Sequence, residues 1–204
     1  MLVVGLTGNY GMGKSTVLPL FQKLGALTLD TDVIVKSLLT EEEVLEKIRG
    51  LLGDEVFYRN RSLNKRKVAR MVFKDDALRR SLEDILHPLV FERINIFIRK
   101  KAGKARIVVI EVPLLFERGY ENRFNRTITV YSREEKALSR LEKQGIKRQE
   151  TLQRLKSQLP INDKIRRSDF IIDNNRSIKE TNRQVKEIYQ ELLKEGKDGH
   201  HHRY

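Results

Sequence analysis

The stretch Gly8-Asn9-Tyr10-Gly11-Met12-Gly13-Lys14-Ser15-Thr16 constrains this chain more than any other. It fits the phosphate-binding loop pattern G-x-x-x-x-G-K-[ST] and has the flanks that pattern requires. The apolar run Leu2-Val3-Val4-Gly5-Leu6 before it reads as a buried strand, and Val17, Leu20, Phe21 and Leu24 after it recur at helical spacing. Glycines let the backbone curl so that successive N–H groups converge on phosphate oxygens, and the following helix adds its positive N-terminal end. In that arrangement Lys14 bridges the outer phosphates and the Ser15 hydroxyl holds Mg²⁺. Residues 8–16 are therefore expected to bind a nucleoside triphosphate. Pro19 lacks an N–H and is expected to loosen or bend the helix just beyond its first turn.

Four more short apolar runs, at residues 26–29, 107–112, 127–131 and 169–172, resemble the one at 2–7 and are separated from it by helical stretches. The pattern implies an α/β fold, a five-stranded parallel sheet covered by helices on both faces. Ligands in such sheets bind beyond the carboxyl ends of the strands, so the informative loops are 8–15, 30–32, 113–117 and 173–175. The gap between the second and third runs exceeds what one crossover needs. It carries Val44, Leu45, Ile48, Leu51 and Leu52 at helical spacing, then Leu78, Leu82, Ile85, Leu86, Leu89 and Val90 on a long helix expected to bend near Pro88. Residues 133–168 form a second excursion dense in cations, including Arg133, Arg140, Lys147, Arg154 and Lys164. The expected division is a nucleotide-binding core (1–35, 106–132 and 169–204), a helical acceptor-binding insertion (36–105) and a helical lid (133–168).

Composition narrows the chemistry. The 204 residues contain no cysteine, which excludes disulfides, thiolate catalysis and Cys-based metal sites. No apolar stretch approaches the length of a membrane span, and the chain opens on a strand without a signal-peptide pattern, so a cytoplasmic location is expected. The net charge of +13 suits a cleft that draws in polyanions such as ATP, or a nucleic-acid surface. The cations are spread along the chain, with no compact basic arm, aromatic platform or nucleic-acid-binding motif, so nucleic acid is not an expected partner. The run His200-His202 is left out of functional reasoning.

Phosphoryl transfer needs a carboxylate to orient or deprotonate the acceptor as well as a phosphate cradle. Asp30-Thr31-Asp32 closes the second strand and opens a helix. Asp32 is the candidate base, with a role at Mg²⁺ through water, while either aspartate could instead cap that helix. Glu111, at the end of the third strand, stands where a magnesium-associated carboxylate is common in such folds, with Glu117 a competitor for that place.

These pieces together resemble the dephospho-coenzyme A kinase family of P-loop kinases. The resemblance runs from about residue 2 to residue 190 and rests on Gly5-Leu6-Thr7-Gly8 through Thr16, Asp30-Thr31-Asp32, Leu63-Asn64, Val72-Phe73, His87-Pro88 and Val112-Pro113-Leu114-Leu115-Phe116-Glu117. It continues in Arg140-Leu141, Arg154 with Gln158, and Ile172-Asp173-Asn174. It implies transfer of the γ-phosphoryl of ATP to the 3′-hydroxyl of dephospho-coenzyme A with Mg²⁺. Carried over by position, it implies that Asp32 activates that hydroxyl, that Lys14 and Arg140 neutralise the transferring group, and that Asn174 lies near the adenine. The helical insertion would hold the acceptor, with Lys65 and His87 as contacts, although for His87 a structural role as a bending pair with Pro88 is the favoured reading. Lys36 and Lys65 stand where the family commonly has Arg, keeping charge but losing bidentate geometry. The segment Arg140–Gly145 is one residue shorter than usual and lacks a second Arg.

Two other readings remain. A nucleoside monophosphate kinase would share loop, sheet and lid, but a phosphate acceptor gains less from a base such as Asp32 than a hydroxyl does. A nucleotide-dependent switch or nucleic-acid partner would need neither the large insertion nor the cationic lid, and Asn64-Lys65-Arg66-Lys67 is not the guanine-reading Asn-Lys-x-Asp.

Overall fold

The computed structural model describes residues 1–196, which divide into two compact units: Met1–Leu29 with the chain from Lys101 onward, and Asp30–Lys100. The run His200-His202 lies outside the described residues.

The first unit is built on a five-stranded sheet in the order β2-β3-β1-β4-β5, with β1 Leu2–Thr7, β2 Leu27–Asp30, β3 Ile107–Glu111, β4 Arg126–Tyr131 and β5 Phe170–Asp173. The central strand β1 is parallel to both neighbours, with Leu6 opposite Glu111 of β3 and Thr7 opposite Thr129 of β4. Strand β5 is parallel to β4, with Tyr131 opposite Asp173. This register brings the loops after β1, β3, β4 and β5 out along one edge of the sheet. Both faces of β1 are covered, which is why Leu2–Thr7 reads as an unbroken apolar run instead of an alternating one.

The strand limits differ from the apolar runs for local reasons. Ala26 belongs to a turn, because its amide donates to the Phe21 carbonyl at the end of the preceding helix, so β2 starts at Leu27. Asp169 takes the amide and hydroxyl of Thr127 on its carboxylate, and β5 starts one residue later.

Helix α1 (Lys14–Lys23) leaves the phosphate loop and continues through Pro19. Its Val17 and Phe21 are fully buried and pack with Val109, Val130, Ile172 and Val185, the last from α9 (Ile178–Glu195). Burying each such side chain contributes about 1.5–3 kcal/mol, enough to hold the helix despite the carbonyl that Pro19 leaves unbonded. The excursion after β4 folds into α6 (Glu134–Glu142), α7 (Arg148–Lys156) and α8 (Ile161–Arg167).

The second unit is helical: α2 (Thr31–Leu38), α3 (Glu42–Leu52), α4 (Lys65–Lys74) and α5 (Asp76–Lys100). The predicted apolar stripe of α3 is the one buried, through Val44, Ile48 and Leu52. Helix α5 runs unbroken through Pro88 and buries Leu86, Val90, Phe91 and Ile94. The other three helices pack against it.

Candidate active site

The loop after β1 has the form its glycines require. Gly8, Gly11 and Gly13 all take positive φ. Gly13 cannot be anything larger, because a Cβ there would lie 2.0 Å from the Asn174 amide nitrogen at a φ of +96°. The Tyr10 amide donates to Gln158 Oε1 (2.9 Å), Met12 to the Asn9 carbonyl (3.2 Å), and Thr16 to the Gly13 carbonyl (3.0 Å). The amides of Gly11, Gly13 and Ser15 make no hydrogen bond among the described residues. They stand at the start of α1, whose N-cap, Gly13, supplies no side-chain cap. An uncapped helix start with open amides suits a polyanion.

Lys14 is 8% exposed. Its ammonium donates to the Gly8 carbonyl (2.8 Å) and the Asn9 carbonyl (3.4 Å), and lies 4.0 Å from Glu111 Oε1. The charge of the loop's lysine is thus held over the loop's own carbonyls. Glu111, itself buried at the end of β3, is its ionic partner.

A second cation stands beside the loop. Arg140, in the last turn of α6, donates from Nη2 to the Asn174 carbonyl (2.9 Å). Its Nη1 is buried with no hydrogen-bond partner among the described residues. That nitrogen would sit 3.5 Å from a Cβ built on Gly13. The Asn174 side chain braces the loop: Nδ2 donates to the Met12 carbonyl (3.0 Å) and Oδ1 accepts from Thr181 (3.0 Å).

The far end of the 133–168 excursion returns to the same loop, through contacts of Asn9, Arg154 and Glu117 that the sequence did not announce. Asn9 Nδ2 donates to the Leu159 carbonyl (3.0 Å), Arg154 lies 4.7 Å over the Tyr10 ring, and Glu117 Oε1 accepts from the Leu159 amide (3.0 Å). The same carboxylate oxygen is 2.7 Å from the Lys164 ammonium, which is wholly buried and also donates to the Pro113 carbonyl (3.2 Å). Lys164 looked like one of many solvated lid cations. The signal for its burial was its place after Pro160 on a short helix leading into β5, too weak to find alone. Burial pushes its ammonium below the usual lysine value, against the pull of Glu117, and Lys14 adds to the lowering.

The remaining sequence candidates belong to the second unit. Asp30 is the N-cap of α2, its carboxylate accepting from the Asp32 amide (2.8 Å), which leaves capping to Asp30 and not to Asp32. Asp32 is exposed in the first turn of α2. Lys65 is exposed at the start of α4, which Asn64 caps, and His87 is half-buried on α5 beside Pro88. The structure therefore gathers Lys14, Glu111, Arg140 and Asn174 around residues 8–16 in the first unit, and places Asp32, Lys65 and His87 in the second.

The donor set fits Mg²⁺. The Ser15 hydroxyl is exposed in the first helical turn, and the described residues contain no cluster of three or more acidic or histidine side chains that could cage a metal. Mg²⁺ bound to a nucleotide takes few protein ligands and completes its shell with waters and phosphate oxygens. Open amides, a buried lysine and an unpartnered guanidinium nitrogen converging on one loop suit binding and charge stabilisation of a transferring phosphoryl group.

A family model described as dephospho-CoA kinase matches residues 2–180. A dephospho-CoA kinase of Aquifex aeolicus is 35% identical over 193 residues, covering 94% of this chain and 98% of that protein. The crystal structure of TT1252 from Thermus thermophilus superposes with a TM-score of 0.82 at 32% identity, covering 94% of this chain and 97% of that one. A dephospho-CoA kinase from Campylobacter jejuni superposes with a TM-score of 0.66 at 26% identity, covering 95% and 98%.

Proposed function

The chain belongs to the dephospho-CoA kinase family, and from that premise we propose that it transfers the γ-phosphoryl of ATP to the 3′-hydroxyl of dephospho-coenzyme A, the last step of coenzyme A synthesis. The observation that carries the reading to this chain's own residues is the buried, unpartnered Arg140 Nη1 beside the Gly13 turn of the phosphate loop. An unpaired buried guanidinium nitrogen is unfavourable, and phosphate oxygens would supply its missing acceptor.

In this reading the amides of Gly11, Gly13 and Ser15 hold the inner phosphates. Lys14 moves from the Gly8 and Asn9 carbonyls to the outer phosphates, and Arg140 meets the charge that develops on the moving group. Asp32 accepts the proton of the acceptor hydroxyl as its oxygen bonds to the γ-phosphorus. The bond from that phosphorus to the bridging oxygen breaks, and ADP leaves. The N-cap of α2 is Asp30, and Asp32 stands in the first turn of that helix. Lys65 and His87 are proposed contacts of the acceptor, and the 36–105 segment its platform. Ser15 would hold Mg²⁺, with Asp32 linked through water, and the ion would supply charge neutralisation for the transferring group. Asn174 acts through the loop it braces, on the side of the site proposed for adenine. The helices of 133–168 form the lid that keeps water from the bound triphosphate. ATP and dephospho-coenzyme A are the partners, and the cytoplasm is the location this role implies.

The test is product identification after incubation with ATP, Mg²⁺ and either dephospho-coenzyme A or a panel of nucleoside monophosphates. Mass spectrometry should show one phosphoryl group added to dephospho-coenzyme A, with phosphorus NMR placing it on the 3′-oxygen. Transfer to a monophosphate alone would overturn the acceptor assignment.

A further inference from the structure

Residues 158–159 are tied to the first half of the phosphate loop by side-chain to backbone contacts. Leu159 is gripped at both ends of its backbone, its amide by Glu117 Oε1 (3.0 Å) and its carbonyl by Asn9 Nδ2 (3.0 Å). One residue earlier, Gln158 Oε1 accepts the Tyr10 amide (2.9 Å), and Arg154 covers the Tyr10 ring. Residues 158–159 and 9–10 are therefore fastened edge to edge. Glu117 in turn is fixed by Lys164, fully buried at 2.7 Å, and Lys164 is fixed by the Pro113 carbonyl. That carbonyl also accepts from the hydroxyl of Thr7 (3.3 Å), the residue just before the loop. The chain of contacts closes on itself: Thr7, Pro113, Lys164, Glu117, Leu159, Asn9.

A buried ion pair contributes little net stability, because desolvation offsets the attraction. Its value here lies in direction. One carboxylate oxygen, held still by a buried ammonium, presents a fixed acceptor to the Leu159 amide. That fixes the position from which Asn9 and Tyr10 are held. The Tyr10 amide is engaged by Gln158, whereas the next amide, that of Gly11, makes no hydrogen bond among the described residues.

We propose that Glu117 and Lys164 are positioning residues for phosphoryl transfer, which set the shape of the phosphate loop by gripping Leu159 and do so without touching ATP. The proposal rests on the reading of residues 8–16 as an ATP site and not on the identity of the acceptor.

Two double variants separate positioning from packing. Glu117→Gln/Lys164→Met and Glu117→Leu/Lys164→Met both remove the buried charges, but only the first keeps an oxygen for the Leu159 amide. Each is measured by thermal melting, by calorimetric titration with ATP, by KM for ATP and for the acceptor, and by amide exchange over residues 9–13. The Leu double is expected to bind ATP about tenfold more weakly than the Gln double. It should also show a raised KM for ATP, an unchanged KM for the acceptor and faster exchange at Asn9–Gly13. Equal ATP affinity in the two doubles, with only their melting temperatures differing, would reduce the pair to a structural one and overturn the proposal. Should the Leu double fail to fold, Gln158→Met removes the other fastening at a half-buried position and must weaken ATP binding in the same way. Unchanged affinity there also overturns it. Titration with ATP needs no acceptor, so an enzyme inert toward dephospho-coenzyme A would sink the proposed reaction while leaving this test intact.

Discussion

Replacing Arg140 with Ala should damage catalysis while sparing the fold, and the structure gives the size of both effects. The variant loses the Nη2 hydrogen bond to the Asn174 carbonyl, a charge-assisted bond that contributes roughly 1.5–3 kcal/mol. It also removes Nη1, a buried donor without a partner, whose desolvation costs roughly 1–3 kcal/mol in the empty enzyme. The two terms have opposite signs and overlapping size, so the net change in stability is within about 2 kcal/mol, or at most roughly 4–8 °C in melting temperature for a chain of this length. Catalysis has no such compensation. Losing a preorganised donor aimed at developing charge lowers kcat by about 10²–10³, or roughly 2.7–4 kcal/mol. The assay follows ADP release with ATP, Mg²⁺ and dephospho-coenzyme A, beside a thermal melt of the same preparations. Arg140→Lys should fall between wild type and Ala, because it keeps a charge but loses the two-pronged geometry. A rise in KM for ATP at unchanged kcat would make Arg140 a ground-state binding residue. A large drop in melting temperature with full activity would make it structural. Either result refutes the reasoning.

Four further outcomes are expected. Asp32→Asn should lower kcat by about 10²–10⁴ with little change in ATP affinity, measured by steady-state kinetics and nucleotide titration; an active Asn variant would remove Asp32 as the base. Gly8→Ala places a Cβ 2.4 Å from the Val130 backbone oxygen at a φ of +146°; left-handed strain of about 1–2 kcal/mol plus overpacking of about 1–3 kcal/mol should depress denaturant stability by roughly 2–5 kcal/mol, and an unchanged midpoint would contradict the geometry. Chelating Mg²⁺ with EDTA should abolish transfer and its return should restore it, while the melting temperature of the nucleotide-free protein stays constant. Lys164 has a folded-state value below its ordinary 10.5, so between those two values the unfolded chain binds more protons and stability rises with pH; subtracting the pH–stability curve of Lys164→Met from that of wild type should isolate a rise in that alkaline window, and a flat difference would show that the ammonium carries no such shift.

The legible parts of this chain were those written in a few adjacent residues. The phosphate loop is specified by Gly8, Gly13, Lys14 and Ser15 within eight residues of chain, and each strand by a run of four to six residues rich in apolar or β-branched side chains. Local grammar of this kind survives folding because it is decided by sterics and by burial on both faces of a sheet. The long α5 was visible from its apolar spacing, and Pro88 was expected to bend it; the helix continues through that residue because its buried face from Leu86 to Ile94 outweighs one lost backbone bond. Whether Asp30 or Asp32 caps α2 was open in the sequence, since both residue types cap well, and only the 2.8 Å bond decides it for Asp30.

What stayed hidden was anything settled between distant positions. Lys164 and Glu117 are 47 residues apart, and neither carries a local mark of its partner. A lysine in a run of lid cations reads as solvated, because burying it alone would be prohibitive. It is buried here because Glu117 and the Pro113 carbonyl meet it from a different loop, and neighbours in sequence cannot announce that meeting. The same holds for Gln158, whose amide oxygen does for Tyr10 what a backbone carbonyl does elsewhere. Motifs disclose the atoms that touch a ligand, because ligand geometry dictates residue type at fixed spacing. The atoms that hold the motif in shape answer only to the fold, so they can be found only once the chain is folded.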